Sequence, residues 1–126
     1  MNKEERIELA ELLFPNITKT REYYEEMYPE RNLEANAMVT RFGPSPTGFV
    51  HMGSLLVAFA NRMYSKESNG IFFLRIEDTD QKRAVENGVE GIYHDLESFN
   101  IIPDESPIVG GKYGPYIQSQ RTEIYQ

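Results

Sequence analysis

The chain has 126 residues, 40% hydrophobic and 26% charged, with 13 Lys/Arg against 20 Asp/Glu and a formal net charge of −7. That length suits one ordinary domain with one core, and the composition is globular and not that of a disordered chain. The acid excess rules out nucleic-acid binding by bulk electrostatics, no run approaches the roughly 18 apolar residues that cross a bilayer, and the absence of cysteine removes disulfides and cysteine-bound zinc.

The start, Met1-Asn2-Lys3-Glu4-Glu5, is polar and acidic, unlike a secretory leader, so the cytoplasm is the expected compartment and no membrane partner is expected. Asn2 with Glu5 three residues on forms a capping box. Ile7, Ala10 and Phe14 then recur at helical spacing with Leu9 and Leu13 beside them, and Pro15 stops the run. Thr20 caps a second short helix through Glu22, Tyr23, Tyr24 and Met27, and Glu30 to Asn36 reads as a polar linker. Residues 1–38 are therefore expected to be a helical amino-terminal extension.

The pattern changes at residue 39. Val39-Thr40-Arg41-Phe42 is a short β-prone run, and it meets Gly43-Pro44-Ser45-Pro46-Thr47-Gly48, whose two prolines exclude a helix. From Gly53 a helix is expected, with Leu56, Phe59, Ala60 and Met63 on its apolar face and Asn69-Gly70 ending it. Ile71 to Ile76 is a mostly continuous apolar run, which suits a strand of a parallel sheet covered on both faces. Strand, helix, strand is a βαβ unit with a right-handed crossover. A second helix is expected along Val85, Val89, Ile92, Leu96 and Phe99, although Gly88 and Gly91 weaken it by roughly 1 kcal/mol each. Ile101-Ile102 leads into a turn-rich loop from Pro103 to Pro115, and another helix starts before Gln126. The fold class is α/β: a partial Rossmann-like doubly wound parallel sheet over residues 39–126, preceded by a short helical arm. Two strands do not complete such a sheet, so the chain is expected to be cut short, with an unpaired strand edge that invites self-association.

The segment from Arg41 to Ser54 has a mechanical sense of its own. A strand ends, a rigid loop turns and a helix begins, and ligands of doubly wound folds bind at the carboxyl ends of strands. The helix terminus offers free N–H groups and a positive dipole end to phosphate. His51 precedes that terminus and can donate to an anion, while Gly53 leaves room for a flat ring. From the residues alone, a surface histidine beside a shaped loop remains an equal alternative.

Arg41-Phe42-Gly43-Pro44-Ser45-Pro46-Thr47-Gly48-Phe49-Val50-His51-Met52-Gly53 resembles the first signature of the class I aminoacyl-tRNA synthetases, in its glutamyl branch. Leu74-Arg75-Ile76-Glu77-Asp78-Thr79-Asp80 resembles the second, and Tyr113-Gly114-Pro115-Tyr116-Ile117-Gln118-Ser119-Gln120-Arg121 a third. The resemblance covers Val39 to Gln126. It departs at Gly43, where the family usually has alanine, and at Ser54, where the wider class has a second histidine.

The resemblance implies an amino-terminal piece of an enzyme that activates glutamate with ATP and passes it to tRNA(Glu), with Mg²⁺ arriving on ATP and no metal bound by the protein. It implies Thr47, His51, Gly53 and Ser54 as ATP contacts, with His51 and Ser54 at the catalytic end. Arg41 would pair with a substrate carboxylate through a two-point bond, Ser45 would add a hydroxyl, and Glu77 would accept from the α-ammonium group. Asp80 and Arg83 would face the terminal adenosine of tRNA. Two bland readings stand beside these: Arg41 and Glu77 pair with each other, and Asp80 merely caps the next helix. Tyr113, Tyr116 and Tyr125 read as packing residues. Rival functions are a glutamyl transferase acting on a modified tRNA base and a non-catalytic synthetase-like binding module. A dinucleotide-binding domain is remote, because no G-x-G-x-x-G is present.

Overall fold

The computed structural model of the chain describes residues 1–125. They divide into two compact units, residues 1–31 and 32–125.

The first unit holds α1 (Lys3–Leu13) and α2 (Arg21–Met27). The expected capping box is present: Glu5 N donates to Asn2 Oδ1 and Asn2 N donates to Glu5 Oε2, both at 2.9 Å. Thr20 caps α2 by accepting from Tyr23 N at 3.4 Å. Neither helix buries a residue, and Ile7, Leu12, Leu13 and Phe14 are exposed.

The second unit is built on β1 (Val39–Phe42), α3 (Met52–Glu67) and β2 (Ile71–Leu74). The strands pair in parallel, from Val39 opposite Ile71 to Phe42 opposite Leu74. Gly70 makes the approach to β1 possible, because a Cβ there would lie 1.9 Å from the Met38 carbonyl oxygen, which accepts from Ile71 N at 3.0 Å. The turn before it uses Asn69 at φ 52, so of the two residues only Asn69 is left-handed, and Gly70 is required by contact.

β2 is shorter than the apolar run suggests. Past Leu74, Arg75 N still donates to Phe42 O at 3.0 Å, and Ile76 makes an isolated parallel bridge to Ile117. Phe72, Leu74 and Ile76 are fully buried, while Ile71, Phe73 and Arg75 on the other face are half-buried, so the two faces are not equally covered. The outer edge of β2 is taken up by a returning segment: Asp104 N donates to Phe72 O at 2.8 Å and Leu74 N to Glu105 O at 2.9 Å.

The helix faces correct the sequence reading twice. In α3 the buried residues are Leu55, Ala58 and Ser65, whereas Leu56, Phe59 and Met63 are exposed. This helix is apolar on more than one side, so periodicity alone selected the wrong stripe. α4 runs over Gly88–Ser98 and buries Ile92 and Leu96; Val85 lies before it, exposed, and Phe99 is its exposed C-cap. The start is delayed because Val85 N donates to Pro46 O at 2.9 Å, holding a turn against the proline loop. Gly88 then fits where a Cβ would stand 2.9 Å from the same oxygen. Phe42, Leu55, Ala58, Phe72, Leu74, Ile76, Ile92, Leu96 and Ile101 form the core. A 3₁₀ turn (Gln118–Arg121) runs into α5 (Thr122–Tyr125). No helix among the described residues is long and apolar enough to cross a membrane.

Candidate functional site

The proline loop leaves β1 at its carboxyl end and is pinned at three points. Pro44 O accepts from Glu77 N at 2.9 Å, Pro46 O from Val85 N at 2.9 Å, and Val50 N donates to Asp95 Oδ2 of α4 at 3.2 Å. Thr47 lies exposed at a bend between the last two points, beside Gly48 at φ 151. The loop is thus held by its own backbone while its polar side chains stay open.

It delivers His51 as the N-cap of α3, with φ −76 and ψ 158 and no side-chain hydrogen bond at the cap. His51 and Gly53 are exposed, and Ser54 is half-buried. A Cβ at Gly53 would meet nothing within 4 Å. The 16-residue helix therefore presents its amino end, an imidazole and a bare patch of backbone to solvent together, and a helix amino end of this kind suits an anion.

At the strand edge, Arg41 and Glu77 meet: Arg41 Nη1 donates to Glu77 Oε1, and Arg75 Nη2 lies 3.6 Å from the same oxygen. Parallel pairing makes this possible, since both residues leave the same end of adjacent strands. Ser45 lies exposed on the loop that begins at Gly43. The two expected substrate-binding charges are thus paired with each other, which is the plainer of the two readings the sequence allowed for them. Asp80 and Arg83 are also paired, Nε to Oδ2 at 2.5 Å, with Arg83 N donating to Asp80 Oδ1 at 3.3 Å. The Arg83 hydrogen bond, more than any other influence, holds the Asp80 carboxyl below the usual carboxylate range. Asp80 closes a turn, not a helix. Next to it lies a depression of about 540 Å³ lined by Thr79, Asp80, Gln81 and Lys82.

Three groups escaped the sequence reading. Arg75 stands second in the Leu74–Asp80 motif, yet its neighbourhood to Glu77 shows only in the fold. Asp78 accepts from both the N–H and the hydroxyl of Ser119, at 2.9 and 2.5 Å. Glu105, buried, accepts from the Tyr116 hydroxyl at 2.7 Å. Tyr116 is thus a packing residue, buried against Phe73 and Glu105, while Tyr125 is exposed beside Arg121. Among the described residues no three His, Cys, Asp or Glu side chains gather as a metal site.

Residues 37–126 match the family described as tRNA synthetases class I (E and Q), catalytic domain, and the chain belongs to that family. Among relatives, it is 54% identical over 122 residues to a glutamate–tRNA ligase of Acetivibrio thermocellus, covering 94% of this chain and 22% of that protein. It is 55% identical over 100 residues to the mitochondrial glutamate–tRNA ligase of Schizosaccharomyces pombe, covering 79% and 19%. The crystal structure of a glutamate tRNA ligase from Elizabethkingia meningosepticum in complex with its amino acid superposes with a TM-score of 0.67 at 47% identity, over 71% of this chain and 18% of that one. The chain therefore spans about a fifth of the length of the relatives it matches.

Proposed function

We propose that this chain carries the ATP- and glutamate-facing loops of an enzyme that activates glutamate as its adenylate and transfers it to the terminal ribose of tRNA(Glu), in the cytoplasm. The observation that carries the reading is the meeting of Arg41 and Glu77 at one strand edge, at the end of a loop that also delivers His51 to a helix amino terminus. One cation and one anion side by side match one carboxylate and the ammonium group of an amino acid, and Arg75 beside Glu77 adds a cation for a second carboxylate. Arg41 takes a carboxylate through a two-point bond, Ser45 adds a hydroxyl, and Glu77 accepts from the α-ammonium group. Thr47, Gly53 and Ser54 bound the nucleotide, and His51 stabilises the charge that develops as pyrophosphate leaves. Mg²⁺ enters with ATP. Asp80 and Arg83 face the acceptor end of the tRNA. The chemistry asks for no covalent attack by the protein, only positioning and electrostatics.

The test is to supply the full natural protein with ATP, Mg²⁺, glutamate and tRNA. Glutamate should become attached to tRNA, and acceptance should vanish when the terminal adenosine is removed. Acceptance by tRNA lacking that adenosine would favour transfer to a modified base, and no acceptance at all would favour a binding module. For the 126 residues by themselves we further propose pairing between copies along the edge of β1 that no strand among the described residues takes up, the other edge holding β2. Sedimentation across a concentration series would read it.

A further inference from the structure

Gly43 lies directly under the Arg41–Glu77 pair. A Cβ built on it would stand 2.7 Å from Glu77 Oε1, 3.0 Å from Glu77 Cδ and 3.5 Å from Arg41 Cζ. The Glu77 carboxylate thus occupies the space an alanine methyl would claim. Gly43 is not among the glycines with positive φ, which are Gly48, Gly110 and Gly111. Its backbone does not require glycine, and the atoms an added methyl would meet are the ends of two flexible side chains. Glycine at this position decides where the Glu77 carboxylate can rest.

We infer that Gly43 is a positioning residue that sets the apparent affinity for the amino-acid substrate, by letting Glu77 close on Arg41 so that the substrate has to displace that contact. The inference rests on the proposed reading of Arg41 and Glu77 as the carboxylate- and ammonium-binding groups. The closed pair hides both charges that the substrate needs. Opening it leaves Arg41 for the incoming carboxylate and Glu77 for the ammonium. Arg75 keeps a cation beside Glu77 when Arg41 turns away, and its buried Nε has no hydrogen-bond partner among the described residues. Three charged groups, two positive and one negative, therefore suit a ligand that brings one more carboxylate than ammonium.

A site that is open only part of the time binds with its intrinsic affinity reduced by the open fraction. Arg41 and Glu77 are 41% and 32% exposed, so their pair is partly screened and the bias is small. Gly43→Ala removes the resting place without changing any charge. In the full natural protein, the glutamate KM should fall by about 1.5- to 5-fold with kcat nearly unchanged. Glutarate, which lacks the ammonium group and needs only Arg41, should inhibit more tightly by a similar factor. A melting curve confirms that the variant is folded. Arg41→Lys, measured alongside, should raise the glutamate KM. If it does and Gly43→Ala leaves KM unchanged or higher, the role of Gly43 is refuted while the pocket stands. If Arg41→Lys leaves KM unchanged, the pocket assignment fails and this inference with it.

Discussion

The carboxylate of Asp78 fastens the second motif to the third: one oxygen accepts from the backbone N–H of Ser119 at 2.9 Å and the other from its hydroxyl at 2.5 Å. The contact continues a ladder in which Ile76 N donates to Tyr116 O and Gln118 N to Ile76 O, both at 2.9 Å. Glu77 lies between these two fastenings, so its backbone is fixed on both sides. Asp78→Ala should lower stability by about 1 kcal/mol, the ordinary worth of such bonds near the surface. It should also raise the glutamate KM. Asp78→Asn keeps an acceptor for the Ser119 N–H and should lose less of both. Denaturant midpoints and steady-state kinetics on the full natural protein check the pair, and equal losses in the two variants would argue against the fastening.

A substitution at His51 would separate its proposed catalytic role from folding. It is exposed, caps α3 only through its backbone, and its carbonyl accepts from Leu55 N at 2.9 Å whatever the side chain. His51→Ala should therefore leave the melting temperature close to that of the parent. Loss of one donor to developing charge should lower kcat by about a hundredfold to a thousandfold. A loss below tenfold would remove His51 from the charge-stabilising role.

The Asp80–Arg83 pair carries a pH signature. The Arg83 hydrogen bond lowers the Asp80 pKa in the fold. A carboxyl with a depressed folded pKa favours the folded state at pH values above its ordinary range, and the contribution disappears as pH falls through the depressed value. The stability difference between parent and Asp80→Asn should therefore be constant from about pH 7 to about pH 5 and shrink towards zero in stronger acid. Arg83 is 76% exposed, so high salt should reduce the difference. A difference that grows on acidification would contradict the assignment.

How much the sequence revealed depended on whether a signal was local. The capping box at Asn2 and Glu5, the limits of β1 and the place of His51 at a helix amino end all stem from neighbours in the chain, and the structure has each of them. The parallel pairing that brings Arg41 to Glu77 was legible in the strand–helix–strand order. The buried stripe of α3 was not, because Leu56, Phe59 and Met63 are as apolar as Leu55 and Ala58, and only packing on the strands chooses between them. The delayed start of α4 was hidden for a similar reason: it depends on Pro46, some forty residues earlier. Arg75 beside Glu77 and Asp78 on Ser119 are tertiary contacts with no periodicity to announce them.

The amino-terminal arm should be dispensable for RNA binding. Residues 1–31 hold eight glutamates against five Lys/Arg, and such a surface repels phosphate. Its apolar residues Ile7, Leu12, Leu13 and Phe14 are exposed. Removing residues 1–31 from the full natural protein should leave its affinity for tRNA nearly unchanged at physiological salt. A large loss of affinity, read by filter binding, would show that the arm touches RNA after all.

The 126 residues on their own should not charge tRNA. Among the described residues the sheet has two strands, β1 and β2, and the core rests on them and on α3 and α4. The chain has a net charge of −7, so it offers no broad basic surface to an acceptor stem. It has 13 Lys/Arg in all and no lysine-rich run, leaving His51 and the amino end of α3 as the proposed grip on triphosphate. Each missing donor at a site of developing charge costs about 3–4 kcal/mol of transition-state stabilisation, and several such losses compound beyond detection. Weak ATP binding should survive, because the α3 amino end, Gly53 and His51 are all in place. Incubating the purified 126-residue chain with ATP, Mg²⁺, glutamate and tRNA should thus give no glutamyl-tRNA, while ATP shifts the His51 ring resonances in NMR. Charging within tenfold of the full natural protein would mean that these two strands and their loops already hold the whole catalytic apparatus.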